Sequence, residues 1–143
     1  LALGQRVLTA VAGITAVSGF TMDWNRTHLF NPAWTPHAKF HDALTISLGT
    51  MLGSASLYFL HRRRGSREDN RDVGTLLPAL FWAGLGTSAF FPGAEGLESE
   101  FPHLVPRVKG VWINERFASA LFLAVIGGAY VLARREGKET GER

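Results

Sequence analysis

Charge is segregated along this chain, and that constrains its fold more than any other feature. Charged residues make up 19% of the 143, an ordinary share for a soluble domain. They are bunched in residues 23–42, 61–72, 95–116 and 134–143, however, and the runs between carry almost none. An Asp, Lys or Arg at mid-bilayer costs roughly 2.5–3.5 kcal/mol on insertion scales, so a spanning chain keeps charge in its connections. The mean hydropathy of +0.07 averages the two kinds of segment and hides the pattern.

Four apolar runs follow, at residues 4–22, 37–60, 73–91 and 112–133. Each approaches the roughly 20 residues that an α-helix needs to cross a bilayer. A signal peptide with Arg6 as its positive end is the competing reading of the first. The second has Pro36 placed for a helix start and Arg62, Arg63 and Arg64 at its far end. Gly49 and Gly53 within it have the small-xxx-small spacing that lets another helix approach. Its Ser and Thr hydroxyls are expected to bond back to helix carbonyls or across to a neighbouring helix. The third run carries Pro78, expected in a first or second turn, and stops at Pro92-Gly93. Residues 92–110 read as an irregular connection.

The expected fold is therefore all-α, an integral membrane protein built as one antiparallel four-helix bundle. Arg62, Arg63, Arg64, Arg67 and Arg71 lie in the inner loop 61–72, and Arg134, Arg135, Lys138 and Arg143 follow the last run. The positive-inside rule then puts the N- and C-termini in the cytoplasm and loops 23–36 and 92–111 outside an inner or plasma membrane. The chain has no cysteine, which excludes disulfides, thiol catalysis and Cys-ligated metals. Its net charge of +3 sits at the ends of apolar runs without forming a basic face, which argues against nucleic acid as a partner.

Candidate chemistry concentrates in residues 23–42, DWNRTHLFNPAWTPHAKFHD, with three of the five histidines, two aspartates and two tryptophans. On a helix from Pro36, His37 and His41 share a face, one turn apart. The same membrane level receives Asp23, Asn25 and His28 from the first run and Asn114 and Glu115 from the fourth. One reading is acid–base chemistry on a lipophilic molecule, an isomerisation or cyclisation. Asp23, His37, His41 and Glu115 would be the catalytic groups, and Trp24, Asn25, His28, Trp34, Phe40, Asp42 and Asn114 would bind the ligand. Phe30 and Phe90 add aromatic surface. A second reading is a divalent metal on His37 and His41, with His28, Asp23, Asp42 or Glu115 as third ligand. In the third, the stretch is an interfacial cap on an accessory subunit that packs against other membrane subunits. For single residues the structural alternatives are a helix cap or a partner of Arg26 for Asp23, and pairing with Arg116, Arg107 or Lys109 for Glu115.

The pattern Asp23-Trp24-Asn25, Thr27-His28, Asn31-Pro32, Trp34, Pro36-His37, Phe40-His41 resembles the signature of a family of small, uncharacterised four-span membrane proteins. That resemblance implies a fold and a location, and no activity. In architecture alone, the chain is similar to the emopamil-binding sterol isomerase group and to small membrane terpene cyclases, which implies proton chemistry by analogy.

Overall fold

The computed structural model describes residues 2–139, so Arg143 and the end of the charged tail lie outside the described residues. Four helices dominate: α1 (Leu3–Met22), α2 (Pro36–His61), α3 (Arg67–Thr87) and α4 (Glu115–Glu139). The α3–α4 connection carries two short 3-10 turns and a two-stranded hairpin, β1 (Arg107–Val108) and β2 (Val111–Trp112). The hairpin corrects the expectation of an irregular stretch. Lys109 and Gly110, both at positive φ, form its two-residue turn, the geometry that matches strand twist.

Two helix starts have local causes. Thr35 caps α2 by accepting from the Ala38 N–H at 3.2 Å, with Pro36 in the first turn. Ser66 caps α3 by accepting from the Asp69 N–H at 3.2 Å, and Glu68 and Asp69 suit the positive end of that helix. α3 therefore begins six residues before the apolar run does, inside the arginine-rich segment. Pro78 consequently lies in the helix interior and not in its first turns.

A proline there cannot donate to the carbonyl four residues back, which is that of Gly74. The Ser56 hydroxyl of α2 donates to this carbonyl across the helix interface, and Ser56 and Pro78 are both fully buried. Similar cross-links recur. The Thr50 hydroxyl donates to the Ala16 carbonyl at 2.9 Å, and the Ser119 hydroxyl to the Trp82 carbonyl at 2.7 Å. The Trp82 indole donates to the Thr15 hydroxyl at 3.0 Å and stacks on Phe122 with centroids 3.9 Å apart.

Close backbone approach makes these reaches possible. α1 lies against α2 and α4, and α3 lies against the same two. A methyl group at Gly53 would overlap the backbone of Ala12 and Ala16, and one at Gly4 the backbone of Ala129 and Ala133. Residue 19 meets 46 and residue 5 meets 60, while 119 meets 82 and 130 meets 72, so α1 and α2 run in opposite directions, as do α3 and α4. The core comprises Leu8, Val11, Ala12, Leu60, Trp82, Ile126, Ala129 and Ala133. Phe20, Met51, Tyr58, Leu76, Leu80 and Leu121 are each at least half exposed. Many large apolar side chains thus point outward, while small and hydroxyl residues share the interior with Leu8, Val11, Leu60, Trp82 and Ile126.

Three helical segments are long and apolar enough to cross a membrane: Pro36–His61, Arg67–Phe90 and Glu115–Glu139. α1, expected as a span, is not among these. Gln5 and Arg6 in its first turn lower the average of an otherwise apolar helix.

Two tests follow from this packing. Gly53→Ala is expected to lower stability by about 1–3 kcal/mol through overpacking. Gly84→Ala, whose added methyl meets open space, should be neutral or stabilising, and thermal unfolding of purified protein compares them. Ser56→Ala should cost about 1–3 kcal/mol by stranding the Gly74 carbonyl. That cost should shrink when Pro78→Ala restores the missing N–H, and equal costs in both backgrounds would sink the pairing.

Candidate functional site

The end of the molecule bearing the two long connections collects Asp23 from the end of α1, His28 from the first loop, Asp42 from α2 and Glu115 from the start of α4. His28 Nε2 lies 3.8 Å from Asp23 Oδ1, with side chains only 20% and 19% exposed. Burial is the main reason the Asp23 carboxyl rises from its ordinary 3.8 to about 6. The charge of His28 opposes the rise, and those of Asp42 and Glu115 add to it. His28, Asp42 and Glu115 therefore all sit within electrostatic reach of Asp23. Asp42 Oδ2 is buried with no hydrogen-bond partner among the described residues, uncommon for so strong an acceptor.

The loop fixes how the imidazole is presented. Asn25 Oδ1 accepts from the Thr27 backbone N–H at 2.8 Å, which identifies that atom as oxygen, and it also receives the Thr27 hydroxyl proton at 2.6 Å. With its one proton used, Thr27 Oγ1 can only accept from His28 Nδ1, 2.8 Å away. The Nδ1–H tautomer follows, and a neutral His28 turns a bare Nε2 toward Asp23. Trp34 holds the ring edge-on at 5.6 Å between centroids. Asn31 fastens the loop below it, donating from Nδ2 to the Thr27 carbonyl at 3.1 Å and accepting from the Ala33 N–H at 2.9 Å.

The expected catalytic set divides in two. Asp23 and Glu115 belong to the half-buried group, whereas His37 and His41 form an exposed pair on another face of α2, their Nε2 atoms 3.1 Å apart. Phe40 stacks on His37 with the rings 2° from parallel. The separation follows from helix geometry, since Asp42 is turned about 100° from His41. Among the described residues no group of three or more His, Asp or Glu could hold a metal ion, so the pair has no third side-chain ligand. The expected third ligands His28, Asp23, Asp42 and Glu115 are those of the half-buried group.

Several candidates have local work. Asn114 Oδ1 accepts from the Arg116 and Phe117 N–H groups at 3.1 and 3.2 Å, capping α4, and its Nδ2 donates to Glu98 Oε1 at 2.8 Å. Glu98 also takes Arg116 at 3.0 Å, so the expected pairing of Arg116 with Glu115 is replaced. Glu115 instead accepts from the Leu97 N–H at 3.1 Å, fastening the second connection to the head of α4. It also borders a small cavity of about 130 Å³ with Leu85, Ser88, Ala89, Gly96 and Arg116. Trp24, about half exposed, lies between Phe20 and Phe30 at 5.7 and 5.4 Å.

Sequence reasoning missed Thr27 as the residue that orients His28; the signal available was the Asn-x-Thr-His spacing, which favours such a turn. It also read residues 61–72 only as a solvated loop. That segment and the helix ends beside it enclose the larger cavity, about 560 Å³, at the opposite end of the molecule.

The pH dependence of Asp23 has a definite sign. Its pKa is higher in the folded protein than in the unfolded chain, so folding favours the protonated form. Stability should fall as pH rises through about 4 to about 6 and stay lower above that. One pKa unit is 1.36 kcal/mol, which bounds the loss at about 3 kcal/mol. Asp23→Asn should flatten this part of the stability–pH curve and raise the unfolding midpoint at pH 8 relative to wild type. A variant curve parallel to wild type would contradict the assignment.

No curated protein and no solved structure matches the chain. A family of unknown function, DUF6640, matches residues 7–143, which takes in α1 from Val7, the other three helices whole and every residue of the site above. With nearly the whole length matched, the chain belongs to the DUF6640 family.

Proposed function

We propose that this protein is an integral membrane four-helix bundle that handles a proton for a lipophilic ligand at its outer end, as an acid–base isomerase or cyclase. The observation carrying this reading is the half-buried Asp23–His28 pair beside Asp42 and Glu115, with the Asp23 carboxyl pushed up to about 6. A carboxyl near neutral pKa can both give and take a proton at physiological pH. One proton leaves a substrate carbon to one member of the group, and one returns at another carbon. No net oxidation occurs.

Membrane placement is supported by the three long apolar helical segments and by the many large apolar side chains left exposed on the helices, such as Phe20, Met51, Leu76, Leu80 and Leu121. In this reading α1 is the fourth span, admitted by its contacts with α2 and α4. The arginines of residues 61–72 then face the cytoplasm together with both ends of the chain, and residues 23–36 and 92–111 face outward. The cavity beside Glu115 is too small to enclose a sterol or isoprenoid. The ligand therefore approaches from the bilayer, along Phe20, Trp24 and Phe30.

The test is conversion of a panel of unsaturated sterols, isoprenoids and quinones by the protein in lipid nanodiscs, read by mass spectrometry. Asp23→Asn should reduce conversion about 100-fold or more while leaving the fold as stable or more so. His37→Ala should leave it within a few-fold. Binding and conversion unchanged in Asp23→Asn, or absent from the wild type, would remove the enzyme reading. A second reading, an accessory subunit whose loops only cap the bundle, is favoured by the local use of Asn25, Asn31, Asn114 and Glu115 as caps. It expects other membrane subunits to co-purify and every variant effect to follow stability.

A further inference from the structure

The larger cavity lies at the end opposite Asp23, where all four helices contribute wall. Gln5 comes from α1, Leu60 and His61 from α2, Asn70 and Arg71 from α3, and Ala133 and Glu136 from α4. Arg62, Arg63 and Arg67 complete it, so four arginines line about 560 Å³ with Glu136 as the one acid among the lining residues. That volume falls in the range of small-molecule sites, roughly 300–1,000 Å³.

The acid is already engaged. Glu136 accepts from the backbone N–H groups of Leu3 and Gly4 at 3.1 and 3.0 Å, holding the start of α1 against α4. Asn70 and Gln5 are likewise used on the frame, donating to the carbonyls of Arg64 and Leu60 at 2.9 and 2.8 Å. Arg62 lies over the Tyr58 and Phe59 rings. Arg71 is the exception. It reaches the Ala133 carbonyl through Nη1 at a long 3.4 Å, and its Nε is buried with no partner. With only that one long bond, the outer Nη nitrogens of the guanidinium retain donor capacity, and they, not the enclosed Nε, can meet an anionic oxygen in the cavity.

We propose that this arginine-lined cavity binds a phosphate group, that of an anionic phospholipid headgroup entering from the inner leaflet. Guanidinium forks match phosphate oxygens two at a time, and basic pockets between helix ends on the cytoplasmic side suit such headgroups. The apolar outer faces of α2 and α4 beside the opening give the acyl chains a surface. This inference rests on the membrane placement proposed above and is independent of the proton chemistry at the other end.

The full chain is reconstituted in phosphatidylcholine nanodiscs with or without phosphatidylglycerol, and separately held in neutral detergent with or without inorganic phosphate. Thermal unfolding and retained lipid by native mass spectrometry are the readouts. Phosphatidylglycerol should raise the unfolding midpoint and remain bound. Arg71→Gln and Arg63→Gln should each weaken its apparent affinity roughly fivefold, while Arg135→Gln, outside the cavity, should not. Should Arg71→Gln fail to fold, Arg63→Gln carries the same comparison. Stabilisation by inorganic phosphate alone, lost in Arg71→Gln, keeps the phosphate site and overturns the lipid as its source. Equal lipid shifts in wild type and both cavity variants, or none in any, overturn the proposal. Asp23→Asn should leave the lipid response intact, so failure here is distinguishable from failure of the acid–base reading.

Discussion

The indole N–H of Trp82 donates to the hydroxyl of Thr15 at the centre of the molecule, and much of the structure is arranged around making that bond possible. Thr15 passes its own proton to the Val11 carbonyl at 2.8 Å, so one hydroxyl joins the α3 indole to the α1 backbone. Phe122 covers one indole face, and Ser119 of α4 takes up the carbonyl of the same tryptophan. Three helices are thereby tied by one residue in a region without water to offer as a substitute. In such surroundings an unsatisfied polar group costs several kcal/mol, so the bonds specify one helix arrangement among many apolar packings of similar energy.

The same logic explains the glycines and the buried proline. In the proposed bilayer setting, helices gain little from burying leucine, since the tails outside are as apolar as the core. Dispersion between closely approaching backbones and hydroxyl cross-links must hold them together. Gly4 and Gly53 permit that approach, and Ser56 uses it to satisfy the carbonyl that Pro78 leaves free. Rigid helices in turn give the two ends distinct electrostatic characters. Carboxylates gather where the long loops close over α1 and α4, and arginines where the chain turns from α2 into α3. Neither group would hold its geometry on loops alone.

Helix α2 was nearly complete in the sequence, from its Thr35-Pro36 start to the arginines that end it. So were the four apolar runs and the loop stretch around His28. The start of α3 was not, because Ser66 can cap a helix in charged sequence, and the apolar pattern begins only after the helix does. The hairpin at residues 107–112 was hidden too, since strands this short leave no alternation to detect. In the site, His37 and His41 drew attention by their spacing, yet they form a self-contained exposed pair. Asp42, one residue further on, carries the buried oxygen.

The sequence by itself determined the number and limits of the apolar segments, the crowding of titratable residues into one loop and the arginines into another, and the small residues that let helices touch. These are local properties: the cost of charge in hydrocarbon, the conformational limits of proline and glycine, and the size of a side chain. Tertiary structure alone decided that Asp23, His28, Asp42 and Glu115 belong together while His37 and His41 stand apart, and that four arginines enclose a cavity instead of coating a loop. Those facts depend on the rotation of each helix about its axis. That rotation is set by Trp82, Thr15, Ser56 and the glycine contacts acting together, and no segment carries that information alone.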